Sequence, residues 1–147
     1  MKRLFGKLTY VVRVAAACFK PNPVTYNIES QGVDGINRQV SARAAAVFAL
    51  NAVPPSLLSL SRGCNASDGL LDIVLLKATG LPSLARLSTR MAIGRPDKSP
   101  LYQRLRCRTV KISTSAPVTP NIDGDPGFAT SSLTLSVLPN AVRIIVS

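Results

Sequence analysis

Residues 67–77, Ser-Asp-Gly-Leu-Leu-Asp-Ile-Val-Leu-Leu-Lys, leave few folds open to the chain. Asp68-Gly69 supplies turn chemistry: a short carboxylate that bonds nearby backbone, then a residue that tolerates φ > 0. Ile73, Val74, Leu75 and Leu76 follow as an unbroken β-branched and leucine run, short enough for a strand covered on both faces. A carboxylate at the mouth of such a strand sits on rigid backbone. It either anchors a hard cation with neighbouring backbone carbonyls or caps a turn. These eleven residues alone favour the turn.

Hydrophobic period organises the rest. Leu4, Leu8, Val11, Val12, Ala15 and Phe19 recur at helical spacing with Lys7 and Arg13 off the stripe. That predicts an amphipathic N-terminal helix stopped at Pro21. Lys2 and Arg3 ahead of an apolar stretch also have the look of a signal peptide, but Arg13 interrupts the apolar region. From Val24 the period becomes two, with Val24, Tyr26 and Ile28 alternating with polar residues, and residues 31–35 are turn material. Residues 40–50 predict one long alanine-rich strand, although Ala44-Ala45-Ala46 suit a helix equally on propensity, and residues 51–65 a loop across which Pro54-Pro55 forbids a helix. Beyond the central strand, Leu84, Leu87 and Met91 mark a short helix, with Ser83 as N-cap and Gly94 just past its C-terminus.

The last third is β in character. Leu105 and Cys107 are apolar at odd positions, Val110 and Ile112 at even ones, so a bulge or bend is required near Arg108-Thr109. Leu133, Leu135 and Val137 form a strand, Pro139-Asn140 a turn, and Val142, Ile144 and Val146 a closing strand. Between them, residues 120–127 hold Asp123 and Asp125 in a turn; on an extended segment that spacing puts both on one face. The chain therefore reads as mainly β (α+β): an antiparallel β-sandwich with an N-terminal helix and one inserted short helix.

Composition narrows the chemistry. A chain of 147 residues fits one domain, spanning 1–147, and 46% apolar content suits a packed core. Eighteen basic against seven acidic side chains give a net charge of +11, which suits an anionic partner: nucleic acid, a membrane surface or a phosphorylated ligand. Histidine is absent, which removes imidazole from proton transfer and metal binding. Cys18, Cys64 and Cys107 are odd in number and widely spaced, matching neither a zinc site nor a disulfide framework and suiting a reducing compartment. No segment is long and apolar enough to span a bilayer.

Asp68-Gly69-Leu70-Leu71-Asp72, a helix ending near Gly94, Val110-Lys111-Ile112, Asp123-Gly124-Asp125 and Leu138-Pro139-Asn140-Ala141-Val142-Arg143 occur in the order found in diacylglycerol kinases. More narrowly, the chain resembles the C-terminal β-sandwich domain of the YegS and BmrU type of bacterial lipid kinase over nearly its whole length. The resemblance implies transfer of the ATP γ-phosphoryl to a diacylglycerol-like hydroxyl. It also implies a structural Mg²⁺ held by the Asp68 carboxylate and the backbone carbonyls of Asn65 and Leu70. The family's Asp-Gly-Glu segment, whose glutamate is the proposed general base, reads Asp123-Gly124-Asp125 here, so Asp125 takes that place one methylene shorter. The family's glycine-rich patch after the Asn51-like asparagine is replaced by Pro54-Pro55-Ser56.

Such kinases bind ATP with an N-terminal α/β domain carrying a Gly-Gly-Asp-Gly-Thr loop, and this sequence contains no adjacent glycine pair. The resemblance thus implies a lipid-kinase C-terminal domain without its nucleotide-binding partner, inactive alone, often homodimeric in the family, and cytoplasmic at an anionic membrane surface. Two alternatives stand beside it. A non-functional fragment is one. The other is a basic β-domain binding nucleic acid through Arg104, Arg106, Arg108 and Lys111 along one strand, against which stands an aromatic content of 5% with none of it interleaved among those arginines.

Overall fold

The computed structural model describes residues 23–53, 61 and 63–138. The expected N-terminal helix, the Pro54-Pro55 segment and the closing strand after Pro139-Asn140 lie outside these residues.

Alternating β-branched and polar residues build β1 (Val24–Gln31), which pairs antiparallel with β2 (Asn37–Ala44). Between them Gly35 takes φ 73°, and Asp34 Oδ1 accepts the Ile36 N–H at 3.1 Å. The long strand expected over 40–50 is two strands. β2 ends at Ala44, and β3 (Ala46–Leu50) begins in a different sheet, with the chain bending at Ala45. Ala44 is buried at this corner, where small side chains let the backbone turn between layers. β3 then pairs with β4 (Leu71–Leu76), every residue of which is buried, as the unbroken apolar run requires.

The second switch falls where the apolar parity changes. β5 (Tyr102–Cys107) pairs with β4, and β6 (Thr109–Val118) pairs with β1, so Arg108 is a corner between sheets. The Arg108 N–H donates to the Gln31 carbonyl at 3.1 Å, which ties the corner to β1. A short hairpin, β7 (Asn121–Ile122) and β8 (Asp125–Pro126), precedes β9 (Thr130–Ser136), which pairs with β6 across a register shift between Ser113 and Val118. Among the described residues, two larger antiparallel sheets, ordered β2-β1-β6-β9 and β3-β4-β5, result beside the two-stranded β7-β8 hairpin.

The sheets bury one core between them, with Ile28, Val110 and Ile112 from the first and Leu71, Ile73, Leu75 and Cys107 from the second. On the outer face of the smaller sheet, Val74, Leu76 and Tyr102 pack against Leu87 of α1 (Leu81–Ala92), with Leu84 and Met91 partly buried beside it. Ser83 is not the N-cap. Gly80 is, and the Ser83 hydroxyl, one turn in, accepts the Gly80 N–H at 3.1 Å. At the other end Gly94 has φ 66°, with Gly94 N–H bonded to the Met91 carbonyl and Arg95 N–H to that of Arg90, both at 2.9 Å. This is the glycine-terminated helix end expected there.

Candidate functional site

The outer face of the β3-β4-β5 sheet changes character along its length. Opposite residues of an antiparallel pair share a face, so the register Asp72↔Arg106 and Val74↔Arg104 puts a carboxylate and two guanidinium groups beside the apolar patch that α1 covers. Asp72 is only 2% exposed. A charge so buried requires partners. Its Oδ2 accepts Arg104 Nη2 at 2.6 Å and the Ser61 hydroxyl at 2.7 Å, and its Oδ1 lies 3.2 Å from Arg106 Nε. Burial pushes the Asp72 carboxyl up, but the Arg104 guanidinium and the Ser61 hydroxyl outweigh it, and the net shift is below the ordinary carboxylate value.

Arg106 reaches a second carboxylate. Its Nη2 donates to Asp68 Oδ2, while Asp68 Oδ1 accepts the Leu70 N–H at 2.9 Å. Gly69, at φ 67°, makes the tight turn that folds Leu70 back onto this carboxylate. The Asn65 carbonyl accepts the Asp68 N–H at 3.3 Å, and Asn65 Oδ1 accepts the Ser67 N–H at 3.0 Å. Local turn chemistry therefore brings Asn65, Asp68 and Leu70 together. As they stand, these donors do not fit Mg²⁺, which wants near-octahedral oxygen at roughly 2.0–2.1 Å. Each Asp68 oxygen already accepts a hydrogen bond, one of them from a guanidinium that neutralises the carboxylate.

Asp125 lies elsewhere. Asp123 (φ 52°) and Gly124 (φ 108°) are the two turn residues between Ile122 and Asp125, the Asp-Gly hairpin for which both must have φ > 0. The segment is therefore a reversal, not the extended stretch that would align Asp123 and Asp125 on one face. Asp125 is exposed, and among the described residues it forms no hydrogen bond or ion pair with the Asp68 turn.

The four basic residues expected along one strand are divided: Arg104 and Arg106 on β5, Arg108 at the corner, Lys111 on β6. Arg104 and Arg106 border an open cleft of about 390 Å³ together with Arg38, whose Nη2 is 2.6 Å from Asp34 Oδ2. Each of the three guanidinium groups carries a carboxylate partner, so the cleft lacks the excess positive charge that draws a polyanion.

Sequence reasoning passed over Asp72, Ser61 and the tethering of Arg104 and Arg106. The signal was present: Asp72 is the one charge inside an otherwise apolar run, and burying it obliges a cation on the neighbouring strand.

Neither described thiol is poised to react. Burial, with the Asp72 carboxylate beside it, pushes Cys64 up to about 11, and burial does the same for Cys107. At pH 8 roughly one such thiol in a thousand is ionised, and the thiolate is the nucleophile. Alkylation of the native chain followed by peptide mapping is expected to label both far more slowly than in denaturant. Rapid native labelling of Cys107 would contradict its burial.

The sequence model of the YegS C-terminal NAD kinase beta sandwich-like domain matches residues 1–146. Among solved structures, the chain is similar to a provisionally assigned diacylglycerol kinase from Bacillus anthracis str. Sterne, with 18% identity and a TM-score of 0.62 over 85% of this chain and 39% of that one. It is also similar to a diacylglycerol kinase structure from the same organism, with 16% identity and a TM-score of 0.52 over 88% of this chain and 48% of that one. At such identity the likeness is one of fold, and the chain spans less than half the length of either. No curated protein matches it.

Proposed function

The chain belongs to the YegS C-terminal NAD kinase beta sandwich-like domain family, and from that membership we propose that it is the lipid-facing domain of an ATP-dependent lipid kinase. The family match over residues 1–146 carries this reading. In it, a diacylglycerol-like hydroxyl oxygen bonds to the γ-phosphorus of ATP as the bond from that phosphorus to the β,γ-bridging oxygen breaks. ADP leaves, and the hydroxyl proton passes to the Asp125 carboxylate, exposed on β8 beside the hairpin turn. In this reading the nucleotide is held by a part of the kinase other than this domain.

A net charge of +11 suits the anionic cytoplasmic face of a membrane, each basic residue near the surface adding about 1 kcal/mol. The association proposed is peripheral; among the described residues no helix is long and apolar enough to cross a membrane. The test incubates residues 1–147 with ATP, Mg²⁺ and diacylglycerol-containing vesicles, reading sedimentation and lipid phosphate together. Binding should rise with anionic lipid and fall with salt, with no phosphorylated lipid above a heat-killed control. Equal binding to neutral and anionic vesicles, or turnover by this chain alone, would overturn the proposal.

A further inference from the structure

We infer that the Arg106 guanidinium is the counter-ion of Asp68, filling with a side chain the place where a divalent cation would otherwise sit. Three observations carry this. Arg106 stands in register with Asp72 on β4, which aims its side chain across the sheet toward the turn that opens that strand. Its planar group lies between two carboxylates: Nη2 donates to Asp68, and Nε stands 3.2 Å from Asp72 Oδ1 as an ion pair without a hydrogen bond. The group is also balanced: Asp68 and Asp72 face Arg104 and Arg106, two negative charges against two positive, with no surplus to attract a doubly charged ion.

Oxygen supply agrees with the charges. Asp68 accepts from the Leu70 amide and from Arg106, and the Asn65 carbonyl accepts from Asp68 itself. Among the described residues no three acidic or cysteine side chains come together to hold an ion. A strongly hydrated Mg²⁺ would have to displace a guanidinium and shed its own water for one carboxylate. Asp68 and Arg106 pair this way whatever reaction the domain serves, so the inference does not depend on the lipid-kinase reading.

The test is thermal melting of the wild-type chain, Arg106→Gln, and Arg106→Gln combined with Asp68→Asn, each in millimolar Mg²⁺ and in chelator at matched ionic strength. Wild type should melt at one temperature in both. Arg106→Gln, with two carboxylates and one guanidinium left, should gain a rise of several degrees with Mg²⁺, lost again in the double variant. A Mg²⁺-dependent rise in wild type, or an Arg106→Gln protein as indifferent to Mg²⁺ as wild type, would overturn the inference. Should Arg106→Gln fail to fold, Mn²⁺ added to the wild-type chain decides. Unchanged amide signals at Ser67, Asp68 and Leu70 support the guanidinium as counter-ion, and selective broadening there refutes it.

Discussion

Asp72→Ala should destabilise the folded chain by about 3 kcal/mol, the lower end of the 3–5 kcal/mol typical when one partner of a buried ion pair is removed. The lower end applies because Arg104 and Arg106 are 24% and 41% exposed as side chains and can turn toward water once their carboxylate is gone. For a chain of this size the melting temperature should fall by roughly 6–12 °C. Asp34→Ala is the contrast. Its pair with Arg38 is exposed on both sides and should contribute about 1 kcal/mol or less. If the two variants melt together, the Asp72 network is not holding the sheet. Acid supplies a second reading. Because the folded Asp72 carboxyl lies below its ordinary value of 3.8, its contribution is complete above that pH and is lost as pH falls through the lower folded value. The gap between wild type and Asp72→Asn should stay constant from neutrality to about pH 4 and close below it; a gap that widens in acid would reverse the sign of the shift.

The same residue shows where sequence reasoning stops. The run from Ile73 to Leu76 announces a strand buried on both faces because it offers no polar side to solvent, and the structure buries all of it. The parity change after Cys107 announces a corner for an equally local reason: one strand cannot show both faces to one core. Residues 40–50 gave no such warning. Their alanines satisfy either face, so the passage from one sheet to the other at Ala45 left no break in pattern. The candidate site divides along the same line. Asn65, Asp68 and Leu70 meet through contacts within five residues, which turn chemistry makes legible. Arg104 and Arg106 lie 32 and 38 residues from the carboxylates they bind, and on an edge strand alternating charges look like a solvated face. Only the register of β4 with β5 reveals that these charges meet the buried Asp72.

Alanine substitutions along β4 should show no alternation, each being costly. Leu75 is fully buried between the sheets with Ile28, Ile73, Cys107, Val110 and Ile112, and Leu75→Ala should cost about 2–5 kcal/mol through lost transfer energy and the cavity left behind. One residue earlier, Val74 points the other way, yet it is equally buried against Leu87, Leu76 and Tyr102 under α1, so truncating it also leaves a void. β9 provides the control. There Leu133 and Leu135 are half-buried while Thr134 and Ser136 are exposed, so costs should fall and rise with period two, the exposed positions staying within about 0.5 kcal/mol of wild type. Urea melts of the two series make the comparison. A β4 series in which Val74→Ala is as harmless as Thr134→Ala would mean that α1 does not cover the outer face. The smaller sheet would then be a one-sided layer, and the closed surroundings of Asp72 on that same face would lose their support.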